Sequence, residues 1–100
     1  MNGELDPDGG YAEFPNSLTI QWGISHNSGS LGGDWIVFKR PFKTTCTSSV
    51  GSMDGSTTLH AEGMNTWGCT KIGFMANTFY FPGSLPYPVS GFFSWIAIGY

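Results

Sequence analysis

The side chains in this sequence that could do chemistry fall into three groups: acids, thiols with histidines, and aromatic rings set among amides. Beyond residue 16 the only acids are Asp34, Asp54 and Glu62. Acid–base cleavage of a glycosidic bond needs two carboxyl groups roughly 5 to 9.5 Å apart. A hairpin could bring Asp54 and Glu62 together, but no surrounding motif supports that reaction, and no Ser-His-Asp or Cys-His arrangement stands out. The residues therefore predict a chain that is not an enzyme. Cys46 and Cys69 could pair in an oxidising compartment, yet two cysteines in 100 residues make no disulfide framework. The favoured reading is two small buried thiols in neighbouring strands. His26 and His60 stand apart from them, so no metal and no cofactor is expected.

The aromatic and amide residues suggest more. A sugar ring lays its C–H face on an aromatic platform while Asn, Asp, Gln or Ser groups bond its hydroxyls. Three turn-rich stretches offer such groups, and loops on a rigid scaffold are where variable binding chemistry sits. The first, from His26 to Asp34, carries Asn27 and Asp34, with Trp35 next door. The second, residues 52–57 and 61–68 with His60 between them, carries Asp54, His60, Glu62, Asn65 and Trp67. The third, rich in proline, carries Tyr87 between Pro86 and Pro88. Trp67, between Gly63 and Gly68 in a polar stretch, is the leading platform; Trp35 opens a strand and is expected in the core. His26 and His60 read as surface residues.

The elements that must hold these groups are strands. Only 11% of residues are charged, against roughly 25% in an ordinary soluble domain, while Gly contributes 15 residues and aromatics 16%. That mixture, rich in Thr and Ser, reads as all-β with many turns, in one domain. The net charge of -3 arises in the leader, from Glu4, Asp6, Asp8 and Glu13; the remainder sets three acids against four bases. No basic face exists to attract nucleic acid. There is no signal-peptide pattern and no apolar run of roughly 18 residues, so no membrane insertion is expected. Residues 1–16 read as an aperiodic connector.

"SLTIQWGIS" is a strand with Leu18, Ile20, Trp22 and Ile24 on the face expected to be buried and Ser17, Thr19, Gln21 and Gly23 on a polar face. "WIVFKRPF" is a second, ending near Pro41. "TTCTSSVGS" is a third, with Cys46 and Val50 sharing a face. Asp54-Gly55 marks a hairpin tip with "TTLHAE" returning. "GMNTWG" reads as a loop, "CTKIGFMA" as a strand, with "NTFYF" continuing it after a turn at Asn77, and "PGSLPYPVSG" as irregular. The final strand, "GFFSWIAIGY", carries no charge. Its alternation puts Phe92, Ile96, Ile98 and Tyr100 on one face and Phe93, Trp95 and Ala97 on the other. One small sandwich cannot cover both faces, so a symmetric oligomer is expected, with Phe93, Trp95 and Tyr100 at its interface. A transmembrane barrel would need more long strands with a lipid face than this chain has.

"SLTIQWG", "VFKRPF" with a Cys four residues on, "IGF" and the terminal "FSWIAIGY" occur in an order that resembles the C-terminal domain of phage tail fibre proteins, the gp53-like group in particular. The resemblance spans about residues 17–100. "FKRPF" departs from that group's "FPxxF" turn, and residues 52–67 have no clear counterpart. The resemblance implies an antiparallel β-sandwich at residues 17–100, as a homotrimeric fibre tip. It places the tip in the virion, at the distal end of the tail fibre, with residues 1–16 as the end of the upstream fibre shaft. It also implies adsorption to a host cell-surface receptor, a lipopolysaccharide or other glycan, or a surface protein. The alternatives are a trimerisation cap without receptor contacts and, less favoured, a glycan depolymerase.

Overall fold

The computed structural model describes residues 2–6, 9–30, 32–53, 61–81, 85 and 87–100. Its strands are β1 (Asn2–Asp6), β2 (Gly9–Glu13), β3 (Thr19–Asn27), β4 (Asp34–Val37), β5 (Cys46–Met53), β6 (Ala61–Trp67), β7 (Gly73–Phe81), β8 (Tyr87–Pro88) and β9 (Gly91–Gly99). They form two antiparallel sheets: one of five strands in the order β1-β2-β3-β9-β5, and one in which β7 pairs with β6 along one edge and with β4 and then β8 along the other. The fold is all-β, as the composition predicts, and a sandwich of two antiparallel sheets, as the resemblance implies.

Between the sheets lie Ile36, Phe38, Phe42, Phe74, Ala76, Phe93, Trp95 and Ala97. Phe38 packs on Phe42, Phe74 and Trp95 with ring centroids 5.0, 5.8 and 5.6 Å apart. Phe38 and Phe42 come from "VFKRPF", of which only Asp34–Val37 is strand. The rest turns across the end of the sandwich to bury both rings, and aromatic pairs at these separations add to the burial itself.

β3 turns its faces the opposite way from the expectation. Thr19, Gln21, Gly23 and Asn27 point into the sandwich, whereas Leu18 is 36% and Ile24 49% exposed. Two local facts decide it. Trp95 lies over Gly23, where an added Cβ would stand 2.6 Å from the indole, so only glycine admits the ring. The inward polar groups are all used: Gln21 Nε2 donates to the Arg40 carbonyl at 2.6 Å, and Asn27 Nδ2 to the Ala76 carbonyl at 2.8 Å. A buried amide that finds such partners costs little, while one without them costs a great deal. Gly23→Val should therefore push the Trp95 ring out of place and lower stability by about 2 kcal/mol, the usual scale of overpacking, measurable by urea unfolding.

β5 differs for another reason. Its register against β9 steps from Cys46↔Gly99 to Ser48↔Ile98, so Thr47 is an extra residue. The bulge leaves Cys46 buried and turns Val50 outward, 59% exposed, although unbroken alternation would put them together. Cys46 is disulfide-bonded to Cys69, with Cα atoms 5.7 Å apart, so the expectation of two separate thiols is replaced by a bridge. It joins β5 to the segment after β6. Thr66 Oγ1 donates to the Ser49 carbonyl across the same edge at 2.8 Å.

Of residues 63–68, expected as a loop, 63–67 are strand, part of β6, which pairs along its length with β7; β7 runs through Asn77 without a turn. The hairpin expected at Asp54-Gly55, with the start of its returning strand, lies outside the described residues. The leader is strand rather than aperiodic chain. β2 pairs with β3, and β1 with β2, because a free sheet edge accepts any backbone that reaches it, whatever its side-chain pattern. Glu13 ties this hairpin to the turn after β4, 3.5 Å from the Arg40 guanidinium and 3.9 Å from the Lys43 ammonium. Arg40 also lies 4.5 Å over the ring of Tyr11.

Candidate functional site

Two surfaces stand out, one on the outer face of each sheet. On the four-stranded sheet, the register sets Trp35 of β4, Met75 of β7 and Trp67 of β6 in a row. Residues directly opposite in an antiparallel pair share a face. This one is the outer face, because Phe74 and Ala76 on either side of Met75 are fully buried. Trp35 is 44% and Trp67 42% exposed. Each indole rests on a glycine. A Cβ built on Gly73 would meet Trp35 at 3.1 Å, and one on Gly33 would meet Trp67 at 2.7 Å. Gly33 also has φ +81°, so both its conformation and its space exclude a side chain. Asn65 and Asn77 form the next cross-strand pair along the face, with Asn65 exposed. Asn77 Oδ1 is buried and has no hydrogen-bond partner in the structure.

The candidates Trp67 and Asn65 thus lie together on a sheet face rather than on a loop. Trp35, expected in the core, joins them. The missed signal is that Trp35 and Trp67 both pair with Met75, a register no local pattern reveals. Tyr87 sits apart on β8, 49% exposed and 5.8 Å from the ring of Tyr80. Asp54 and His60 lie outside the described residues.

Asn27 and Asp34 serve the fold. Asn27 is fully buried; besides its bond to Ala76, its Oδ1 accepts from Thr78 Oγ1 at 3.0 Å and from the Gly29 amide at 2.9 Å. Thr78 Oγ1 also lies within bonding reach of the Val89 carbonyl. Asp34 uses both carboxylate oxygens on Ser28, accepting from its amide at 2.6 Å and its hydroxyl at 2.9 Å, and so closes the loop. Asn27, fully buried, is not presented to a ligand. Asn27→Ala should cost about 2 kcal/mol by stranding the Ala76 carbonyl and the Gly29 amide, read as a lower urea midpoint at unchanged slope.

The second surface is the outer face of the five-stranded sheet. Cross-strand rows run Ile20–Ile98, Trp22–Ile96–Val50 and His26–Phe92. Ile96 is 47%, Ile98 38%, Phe92 61% and Tyr100 48% exposed. Phe93 and Trp95, expected at an oligomer interface, are 0% and 7% exposed, packed inside their own sandwich, so neither offers area to a neighbour. Trp95 Nε1 donates to Ser25 Oγ at 3.1 Å. Tyr100 stays on the outer face, its carbonyl accepting from the Thr44 and Thr45 amides at 2.7 and 2.9 Å. β9 therefore has two apolar faces, of which the chain covers one.

Among solved structures the chain is similar to a C-terminal fragment of the Pseudomonas aeruginosa R2 pyocin fibre, at TM-score 0.74 and 18% identity, covering all of this chain and 26% of that one. It is also similar to an N-truncated R2-type pyocin tail fibre, at TM-score 0.77 and 17% identity, covering 100% of this chain and 38% of the other. An N-truncated R1-type pyocin tail fibre matches at TM-score 0.64 and 17% identity, with 100% and 87% covered. At such identities the likeness is one of fold. No curated protein matches the sequence. The family model described as tail fiber protein gp53-like, C-terminal, matches residues 13–100, which hold every strand from β3 to β9, and the chain belongs to that family of tail fibre C-terminal domains.

Proposed function

We propose that this chain is the distal, receptor-binding tip of a tail fibre, assembled as a homotrimer through the outer face of its five-stranded sheet, and that its receptor is a glycan on the host surface. The observation that carries the assembly is β9. A complete sandwich core already covers Phe93, Trp95 and Ala97, yet Phe92, Ile96, Ile98 and Tyr100 remain on the other face. Burying such a side chain is worth roughly 1.5 to 3 kcal/mol, so a row of them favours association. Residues 1–16 then lead from the upstream shaft. One shallow glycan site binds weakly, but three on one tip, on several fibres per particle, act together through effective concentration.

The role is binding rather than catalysis. Of the acids whose side chains are described, Glu13 faces Arg40 and Lys43, and Asp34 is occupied by Ser28. Purified protein should bind cells of a susceptible bacterial strain and reduce adsorption of particles carrying the intact fibre. A well-folded trimer that does neither would leave only the structural cap. Reducing ends released from host polysaccharide would instead reveal a depolymerase.

A further inference from the structure

We infer that the ligand seat is the outer face of the four-stranded sheet rather than the loops at its ends, and that it takes an uncharged saccharide chain lying across β7, over Trp35, Met75 and Trp67. This rests on the receptor-binding reading above and gives it a place and a ligand class. Trp67 packs on Gly33, where a Cβ would hold it off, and Trp35 comes close to Gly73. Trp35 is still 44% and Trp67 42% exposed, and exposed ring surface is what the C–H side of a sugar packs on. Asn65 stands exposed one pair further along, and beside it Asn77 Oδ1 is an acceptor the chain leaves without a partner. Asn77 Oδ1 is itself enclosed, so the amide that a sugar hydroxyl meets on this face is that of Asn65.

Charge selects the class of sugar. The described residues that the register sets on this face, from Trp35 and Val37 through Gly73, Met75 and Asn77 to Trp67, include no acid and no base. A phosphorylated or carboxylated sugar would give up hydration here and gain no ion pair. The two outer faces also differ in kind. On the five-stranded sheet the branched aliphatics Ile20, Ile24, Val50, Ile96 and Ile98 run beside Trp22, Phe92 and Tyr100, and the described residues that the register sets on that face include no Asn or Gln, which suits it to another protein surface. The four-stranded sheet offers indoles and amides.

The test uses the full chain, with tryptophan fluorescence titrated by neutral oligosaccharides (dextrin, galactan and chitin-derived) and by a sialylated counterpart. Neutral chains should bind and the sialylated one should bind more weakly; Trp35→Ala and Trp67→Ala should each weaken binding about tenfold. Because either variant could be poorly folded, the unaltered chain provides a second readout: bound oligosaccharide should shield its fluorescence from acrylamide quenching, and Asn65→Ala should weaken binding severalfold without touching the fold. The site is overturned if neutral oligosaccharides do not bind while the protein still adsorbs to cells and Trp67→Ala adsorbs equally well, in which case the fibre-tip reading stands. It is also overturned if the sialylated chain binds best, or if Trp67→Ala changes the assembled mass, which would make this face a contact between copies. Failure to bind both oligosaccharides and cells would remove the receptor reading with it.

Discussion

Ile96→Lys should convert the assembly into folded monomers. Ile96 sits at the centre of the row Trp22–Ile96–Val50 on the outer face of the five-stranded sheet, and is 47% exposed in the single chain. In the monomer the lysine keeps its ammonium in water, so the far-ultraviolet circular dichroism should not change. In a trimer closed over this face, three ammonium groups would lose hydration without partners, at several kcal/mol each, far more than an interface of this kind recovers. Light scattering at micromolar concentration should give the parent three times the chain mass of 10.8 kDa and the variant the single mass. A monomeric parent, or a variant that stays assembled, would sink the interface. Phe93→Lys should behave differently. Phe93 is fully buried within its own sandwich, so that substitution should unfold the chain rather than dissociate it.

Breaking the Cys46–Cys69 bridge should give the second large effect. The cysteines are 23 residues apart, and in the chain-entropy model closing a loop of that length stabilises by about 3 kcal/mol. The bridge ties β5 to the segment after β6 across the edge of the sandwich, with the Thr66–Ser49 bond nearby. Cys46→Ala/Cys69→Ala should lower Tm by about 15 °C for a domain of this size. Reduction of the parent with a phosphine should reproduce most of that fall, and the double variant should not respond to it. Because assembly itself raises apparent stability, the comparison belongs in the monomeric Ile96→Lys background. Equal Tm for oxidised and reduced parent would show that the bridge contributes nothing.

Much of the architecture is legible in the sequence. β3, β5, β7 and β9 lie close to where the alternating runs place them. The illegible parts have specific physical causes. Residues 63–68 read as a loop because Gly63, Asn65 and Gly68 are poor strand formers alone; pairing with β7 supplies what propensity lacks for 63–67. β1 and β2 carry no periodic signal because their pairing is a backbone matter at the edge of β3. Val50 is misplaced because one extra residue, Thr47, shifts the alternation. Of the candidate site, the exposure of Trp67 and Asn65 is legible from their polar surroundings. Asn27 and Asp34 were not recognisable as structural residues, because the groups that occupy them, Ala76, Thr78 and Ser28, are joined to them only by the fold.

By itself the sequence determined an all-β chain, a terminal strand with two apolar faces, and the ordered motifs of a tail fibre C-terminal domain. The tertiary structure decided which faces go inside. Period-two alternation says that the two sides of a strand differ; it does not say which side meets the opposite sheet. On β3 the polar side turned inward because Gly23 makes room for Trp95 and because carbonyls of Arg40 and Ala76 wait for Gln21 and Asn27. That choice frees Ile20, Trp22 and Ile24 to continue the outer apolar face of β9, and only the folded chain brings Trp35 and Trp67 to either side of Met75.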